Sequence, residues 1–268
     1  MDISELSIGD HHYVAYVGPP SQYDFMGASQ FNLLFTMGLR STHRVLDFGC
    51  GSLRAGRFLI AYLDKGHYYG IDPNKWLIDE AIQNQVGGDL IRIKEPSFSY
   101  NSDFRVDQFS TSFDFIIAQS IFSHTGSELI RKSLASFHDS LNENGLILAS
   151  FMEGSTDFFG AEWVYPEIVH FRRSTLKRFA REAGLVADYI PWYHPRQTWY
   201  LFSKYKNRLP SRAMRHYLTG AVLNNPEFTS SWHWRSRMID YLRRFFRRNS
   251  PPALQEHVKR LLSSLRRE

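Results

Sequence analysis

Apolar residues in this chain fall into short dense runs, separated by longer stretches in which they recur at helical spacing. Val45-Leu46-Asp47-Phe48, the segment from His67 to Asp72, Phe113 to Ala118 and Gly145 to Phe151 read as buried strands bounded by glycine, proline or polar residues. Between them, Phe58, Leu59, Tyr62 and Leu63 mark a helix over 54–63, and Trp76, Leu77 and Ile82 mark one over 75–85. Leu129, Leu134, Phe137 and Leu141 form one face of a helix over 128–142. A helix through Gln30 to Phe35 precedes the first strand, and another is expected over 174–183. Residues 86–103 carry neither period and are expected to be rich in loops, with Phe104-Arg105-Val106 as the candidate third strand. Two runs near the end, 186–192 and 198–203, are joined around His194-Pro195-Arg196 and predict an antiparallel edge. Strands alternating with helices predict βαβ units and an α/β fold with a mostly parallel sheet.

Composition narrows the class. The chain has 268 residues, 43% hydrophobic and 22% charged, as in an ordinary globular protein. Its one cysteine, Cys50, allows no disulfide within the chain. The first twenty residues carry Asp2, Glu5 and Asp10 and do not look like a secretory signal. With no run of about 18 apolar residues, a cytoplasmic protein is the expectation. Charge is uneven: residues 205–268 carry 14 Lys or Arg and 4 Asp or Glu, a net of +10 within a total of +5, which leaves −5 for the rest.

The chemistry concentrates at two strand ends. Asp47-Phe48-Gly49-Cys50-Gly51 closes the first strand, where glycines permit a tight turn and let backbone N–H groups approach a ligand. Asp72 ends the second strand, 21 residues after Gly51, where a carboxylate can accept hydrogen bonds from a ribose diol. The pair describes an adenosine site. It departs from the dinucleotide fingerprint, because the third glycine of G-x-G-x-x-G would fall at Arg54.

These residues resemble the class I S-adenosylmethionine-dependent methyltransferases. Asp47 to Gly51 is similar to their motif I and Ile71-Asp72-Pro73 to motif II. Phe113 to Ser120 is similar to their fourth strand, and Asn144-Gly145 to the turn before the fifth. Leu53 stands where motif I usually has a third glycine. Over about residues 25–204 the resemblance implies a Rossmann-like seven-stranded, mostly parallel sheet with helices on both faces. It implies S-adenosyl-L-methionine as cofactor, with Asp47 at its amino group, Gly49 and Gly51 along its methionine part, Asp72 at the ribose, Gln119 near the methionine end and Asp107, in the stretch 107–109, near adenine.

Methyl transfer to a hydroxyl needs alignment and a base. The candidates are His124, after the fourth strand, and His170 and His194, in the segment expected to cover the pocket. Gln119-Ser120-Ile121-Phe122 lacks the proline-aromatic motif of DNA amino methyltransferases; neither paired glutamates nor an Asp-Asn magnesium pair is present. A small-molecule or saccharide acceptor remains, and the aromatic residues at 163, 165, 192, 193, 199 and 200 suit ring stacking. The competing readings are a noncatalytic cofactor-binding scaffold and an NAD-dependent oxidoreductase.

Domain organisation is expected as a methyltransferase domain with a helical lead-in over 1–204 and a basic helical extension over 205–268. In the extension Met238, Ile239, Leu242, Phe245 and Phe246 form an apolar stripe flanked by Arg243, Arg244, Arg247 and Arg248. Such a helix fits docking on the acidic core, an acidic partner, or a peripheral site on an anionic membrane surface. No specific nucleic-acid motif accompanies it.

Overall fold

The computed structural model describes residues 5–218 and Leu242. In chain order these hold α1 (Tyr13–Tyr16), α2 (Tyr23–Thr36), β1 (Val45–Phe48), α3 (Gly56–Tyr62), β2 (Tyr68–Ile71), α4 (Lys75–Ala81) and α5 (Gly88–Lys94). There follow β3 (Ser97–Ser99), β4 (Phe113–Ala118), α6 (Ser127–Ser140), β5 (Leu141–Phe151), α7 (Arg173–Glu182), β6 (Val186–Ile190) and β7 (Thr198–Ser203).

The seven strands form one sheet in the order β3-β2-β1-β4-β5-β7-β6. The first five of that order pair in parallel, and β7 runs antiparallel to both β5 and β6. All four residues of β1 are buried, as expected of a central parallel strand covered on both faces. On one face Leu46, Phe48, Ile116 and Ile147 pack with Leu134 and Phe137 of α6 and with Leu176 and Phe179 of α7. On the other, Val45, Ile117 and Leu148 pack with Leu33 and Leu34 of α2, Leu59 and Ile60 of α3 and Ile78 of α4. The strand order reverses between β1 and β4, so the crevice outside their carboxyl ends is the place where an α/β sheet binds its ligand.

The chain differs from expectation over 86–106. The expected helix over 75–85 ends in a π-turn (Ile82–Val86), and α5 and the true third strand, β3, occupy what was expected to be loop. Phe104–Val106 is not a strand: Phe104 has φ 61° and turns its ring toward Phe48 and Trp163. The three-residue β3 is a half-buried edge, and its serines gave the sequence no apolar period.

Residues 205–218 lie on the sheet domain. The Tyr205 hydroxyl donates to Glu143, Arg208 Nε to the Asn144 carbonyl and Arg215 Nη2 to Asp188. Leu218 is 6% exposed within the core on the α2 face. The amphipathic stripe from Met238 to Phe246 lies outside the described residues, save that Leu242 is helical. Among the described residues no helix is long and apolar enough to cross a membrane.

Candidate active site

β1 delivers the chain into a turn pinned to β2. The N–H groups of Gly49 and Cys50 both donate to the Ile71 carbonyl, at 2.8 and 2.9 Å. Gly49 and Gly51 have φ of +75° and +50°, a region in which an L side chain is strained. Space is as restrictive as strain. A Cβ on Gly49 would fall 2.1 Å from Ile121 Cδ1, and one on Gly51 2.8 Å from Val17 Cγ1. Leu53, at the third glycine position, keeps the left-handed backbone with φ +53° and buries its side chain completely. The loop therefore has the shape that glycine would give it, held by core packing.

Asp72 extends from β2 into this turn. Gly51 N–H donates to its Oδ2 at 3.0 Å; the backbone N–H and the side-chain amide of Asn74 donate to Oδ1 at 2.9 and 3.1 Å. Burial pushes its carboxyl up, and the three donors pull against that shift. Asp47 is 3% exposed, and the Tyr68 hydroxyl donates to its Oδ2 at 3.0 Å. Burial raises Asp47 to about 7, against the Tyr68 hydrogen bond and the positive charge of Arg54. Gly56 makes room for that hydroxyl, since a Cβ there would come within 2.6 Å of it.

On the β4 side, Asp47 is level with Ile117, and Gln119 follows just past the end of that strand. Gln119 is 7% exposed and its Oε1 has no hydrogen-bond partner among the described residues. Ser120 follows with φ +64°, its N–H held by Ser150 Oγ at 2.8 Å. Gln197 Nε2 donates to Ser120 Oγ at 2.9 Å, so the β6–β7 connection closes this end of the crevice.

Aromatic rings line the mouth. Tyr16 stands edge-on to Trp76 at 5.3 Å and 6.3 Å from Tyr165. Tyr165 stacks on Trp163 at 6.2 Å and meets His124 edge-on at 5.0 Å. The lead-in segment, the turn after β2 and the segment after β5 thus meet over the carboxyl ends of the strands.

The three candidate histidines separate clearly. His124 is at the mouth. Its Nδ1 lies 2.5 Å from the Glu167 carbonyl, so Nδ1 carries the proton and Nε2 is left as the basic nitrogen. Burial lowers its pKa, the Glu167 carbonyl opposes that, and Arg196 lowers it further. His194 is 2% exposed, and its Nδ1 accepts from the N–H groups of Arg196 and Gln197; it builds the turn that carries Gln197 rather than facing an acceptor. His170 lies in the connection after β5, with its Cβ against Gly154. Asp107 also departs from its expected place. The 3-10 turn Asp107–Phe109 packs Phe109 on Tyr69 and Phe113, at the amino ends of β2 and β4, while the Asp107 carboxylate pairs with Arg105 at the surface. The apolar anchor at Phe109 fixes the turn at the wrong end of the sheet for adenine.

Sequence reasoning missed Tyr16, Tyr68 and Gln197, and saw Arg54 only as a departure from the dinucleotide pattern. Their roles arise from contacts 21 to 77 residues apart, which no local period encodes.

A doubly wound sheet of this order, with a glycine turn after β1 and a carboxylate after β2, defines the class I methyltransferase architecture. Residues 46–147 match the methyltransferase domain family, and the fold is that of the class I S-adenosylmethionine-dependent methyltransferases. Solved structures agree on the fold. A S-adenosylmethionine-dependent methyltransferase from Clostridium acetobutylicum is 13% identical, with a TM-score of 0.51, covering 67% of this chain and 92% of its own. DesVI from Streptomyces venezuelae is 13% identical, with a TM-score of 0.53, covering 75% and 100%. A SAM-bound amino pentose methyltransferase from Micromonospora echinaspora is 12% identical, with a TM-score of 0.51, covering 68% and 92%. No curated protein matches the sequence.

Proposed function

We propose that this protein transfers a methyl group from S-adenosylmethionine to a hydroxyl of a ring-bearing small molecule or saccharide, with His124 as the general base. Two observations fit the crevice to that cofactor: a glycine cradle that a Cβ would fill, and a buried Gln119 Oε1 awaiting a donor. Asp72 would hold the ribose, Gly49 and Gly51 the methionine part, and Asp47 with Gln119 its amino group. When bound, the cofactor supplies an electrophilic methyl group on a positively charged sulfur.

His124 carries the acceptor reading. Its hydrogen bond to the Glu167 carbonyl fixes the tautomer, and its lowered pKa keeps Nε2 unprotonated near neutral pH. An imidazole so held takes the proton from an acceptor hydroxyl as that oxygen attacks. Trp163 and Tyr165, 43% and 40% exposed and stacked with an interplanar angle of 16°, flank it as a platform for a flat or apolar ring face. The amino pentose methyltransferase, the magnesium protoporphyrin IX methyltransferase from Synechocystis and the glycopeptide N-methyltransferase act on ring-bearing molecules, which supports this class of acceptor.

The test is a screen of phenolic, sugar and amino-sugar acceptors with isotopically labelled S-adenosylmethionine, on the native protein and His124→Gln. The reading expects kcat to fall about 10²- to 10⁴-fold in the variant, with affinity for S-adenosylhomocysteine retained. Equal turnover in the two proteins would remove His124 as base. Labelling of amines alone would replace the hydroxyl by a nitrogen acceptor. To the same reading belongs a role for the basic extension, reversible attachment to an anionic surface through its apolar stripe.

A further inference from the structure

The turn after the glycines ends in a cation that no carboxylate pairs with among the described residues. Arg54 follows Leu53 and leads into α3. Its Nη1 donates to the Val17 carbonyl at 2.9 Å, and its Nε is shut off from solvent with no hydrogen-bond partner. Among the described residues no carboxylate forms an ion pair with it. Asp47 is within electrostatic range, but its own hydrogen bond comes from Tyr68. Arg57 and Arg196 add further positive charge to the surroundings. A half-buried guanidinium whose Nε lacks a partner and whose charge is unpaired by any carboxylate among the described residues carries a desolvation cost that a bound anion would offset.

Gln119 completes the pattern. It follows the end of β4, the strand beside β1, and its buried Oε1 lacks a donor among the described residues. The guanidinium follows the glycine turn after β1 and reaches Val17, whose side chain borders Gly51, while the amide oxygen follows β4, the neighbouring strand. The pair is the complement of the carboxylate and ammonium ends of an amino acid.

We infer that Arg54 binds the carboxylate of the cofactor's methionine moiety, with Gln119 Oε1 accepting from its ammonium group. The inference rests on the proposal that this crevice takes S-adenosylmethionine. Arg54 also ties the lead-in segment down through Val17, so one side chain joins the cofactor's amino-acid end to the segment carrying Tyr16.

The test is a calorimetric cycle with two ligands that differ by one carboxylate, S-adenosylhomocysteine and its decarboxylated analogue S-adenosyl-3-thiopropylamine. The native protein should bind the first more tightly. Arg54→Gln should weaken S-adenosylhomocysteine about 10- to 100-fold, the loss expected of a charge-assisted hydrogen bond, and leave the analogue nearly unchanged. Arg54→Lys should recover part of the loss. Tyr23→Phe removes another tie of the lead-in segment, the hydroxyl's bond to the Ser52 carbonyl. It keeps the cation and should move both ligands alike. Equal loss for both ligands in Arg54→Gln would mean that Arg54 acts only through Val17, and the inference falls. It falls as well if the native protein binds the two ligands equally, a measurement that needs no variant. If the native protein binds neither, the cofactor reading itself fails, an outcome distinct from the others.

Discussion

Asp47 is a carboxylate whose surroundings work against its charge. Its pKa is raised to about 7 by burial, from an ordinary value of 3.8. The folded state therefore holds a proton through the window from about 4 to about 7 that the unfolded chain has released. This group's contribution to stability is greatest below the window, falls as pH rises through it, and is flat above. Binding runs the other way, because an ammonium group against Asp47 needs the ionised form. S-Adenosylhomocysteine affinity should rise between roughly pH 6 and 8 and level off. Asp47→Asn should flatten that rise, and Tyr68→Phe, which removes the hydrogen bond that lowers the pKa, should move its midpoint up. Calorimetry across this range checks both, and a flat profile in the native protein would break the link between Asp47 and the ligand. Asp72 should behave more simply. Asp72→Ala should weaken S-adenosylhomocysteine by about 1.5–3 kcal/mol, the range for hydrogen bonds to a charged group; unchanged affinity in a folded variant would end its ribose role. The sequence revealed Asp47, Gly49, Gly51 and Asp72 because each sits at a fixed offset from an apolar run. The three histidines could not be ranked that way. What distinguishes them is a carbonyl 43 residues away for His124 and a local turn for His194.

The glycine turn is an element in which shape outweighs residue type. Leu53 occupies a left-handed conformation that costs an L residue about 1–2 kcal/mol, yet its side chain is fully buried against the α3 face. Removing a buried leucine side chain costs about 2–5 kcal/mol, so burial outweighs strain. Leu53→Gly should therefore lower the melting temperature although it restores the residue usual in the superfamily. A higher melting temperature would show that strain, not packing, dominates the turn. Gly49→Val meets strain and collision together and should abolish S-adenosylhomocysteine binding; normal affinity would contradict the cradle. The same contrast explains which elements the pattern showed. β1, β4 and the core of β5 are dense apolar runs in the middle of the sheet. β3 is three half-buried residues fixed by pairing with β2, and its register, Tyr69 with Ser97 to Ile71 with Ser99, is a tertiary fact.

At the scale of the whole molecule, the charge boundary and the packing boundary fall at different residues. Composition changes near residue 205, where the basic extension begins. The fold continues to 218, through Arg215 with Asp188, Tyr205 with Glu143 and Leu218 in the core. A truncation at 204 would strip these contacts and destabilise the domain whatever the extension does. The informative cut comes after Leu218. The 50 residues removed carry 10 Lys or Arg against 4 Asp or Glu, together with the stripe from Met238 to Phe246. Each basic residue near an anionic leaflet contributes about 1 kcal/mol, and salt screens that attraction over about 10 Å at 0.1 M. If the extension is a surface anchor, the full chain should co-sediment with phosphatidylserine-containing vesicles at low salt and lose them at high salt. The shortened chain should not bind them at either, while its melting temperature and its affinity for S-adenosylhomocysteine stay those of the full chain. If instead the extension docks on the sheet domain, the shortened chain should melt lower and the full chain should ignore the vesicles. That pair of results would make the extension part of the domain and end the membrane proposal.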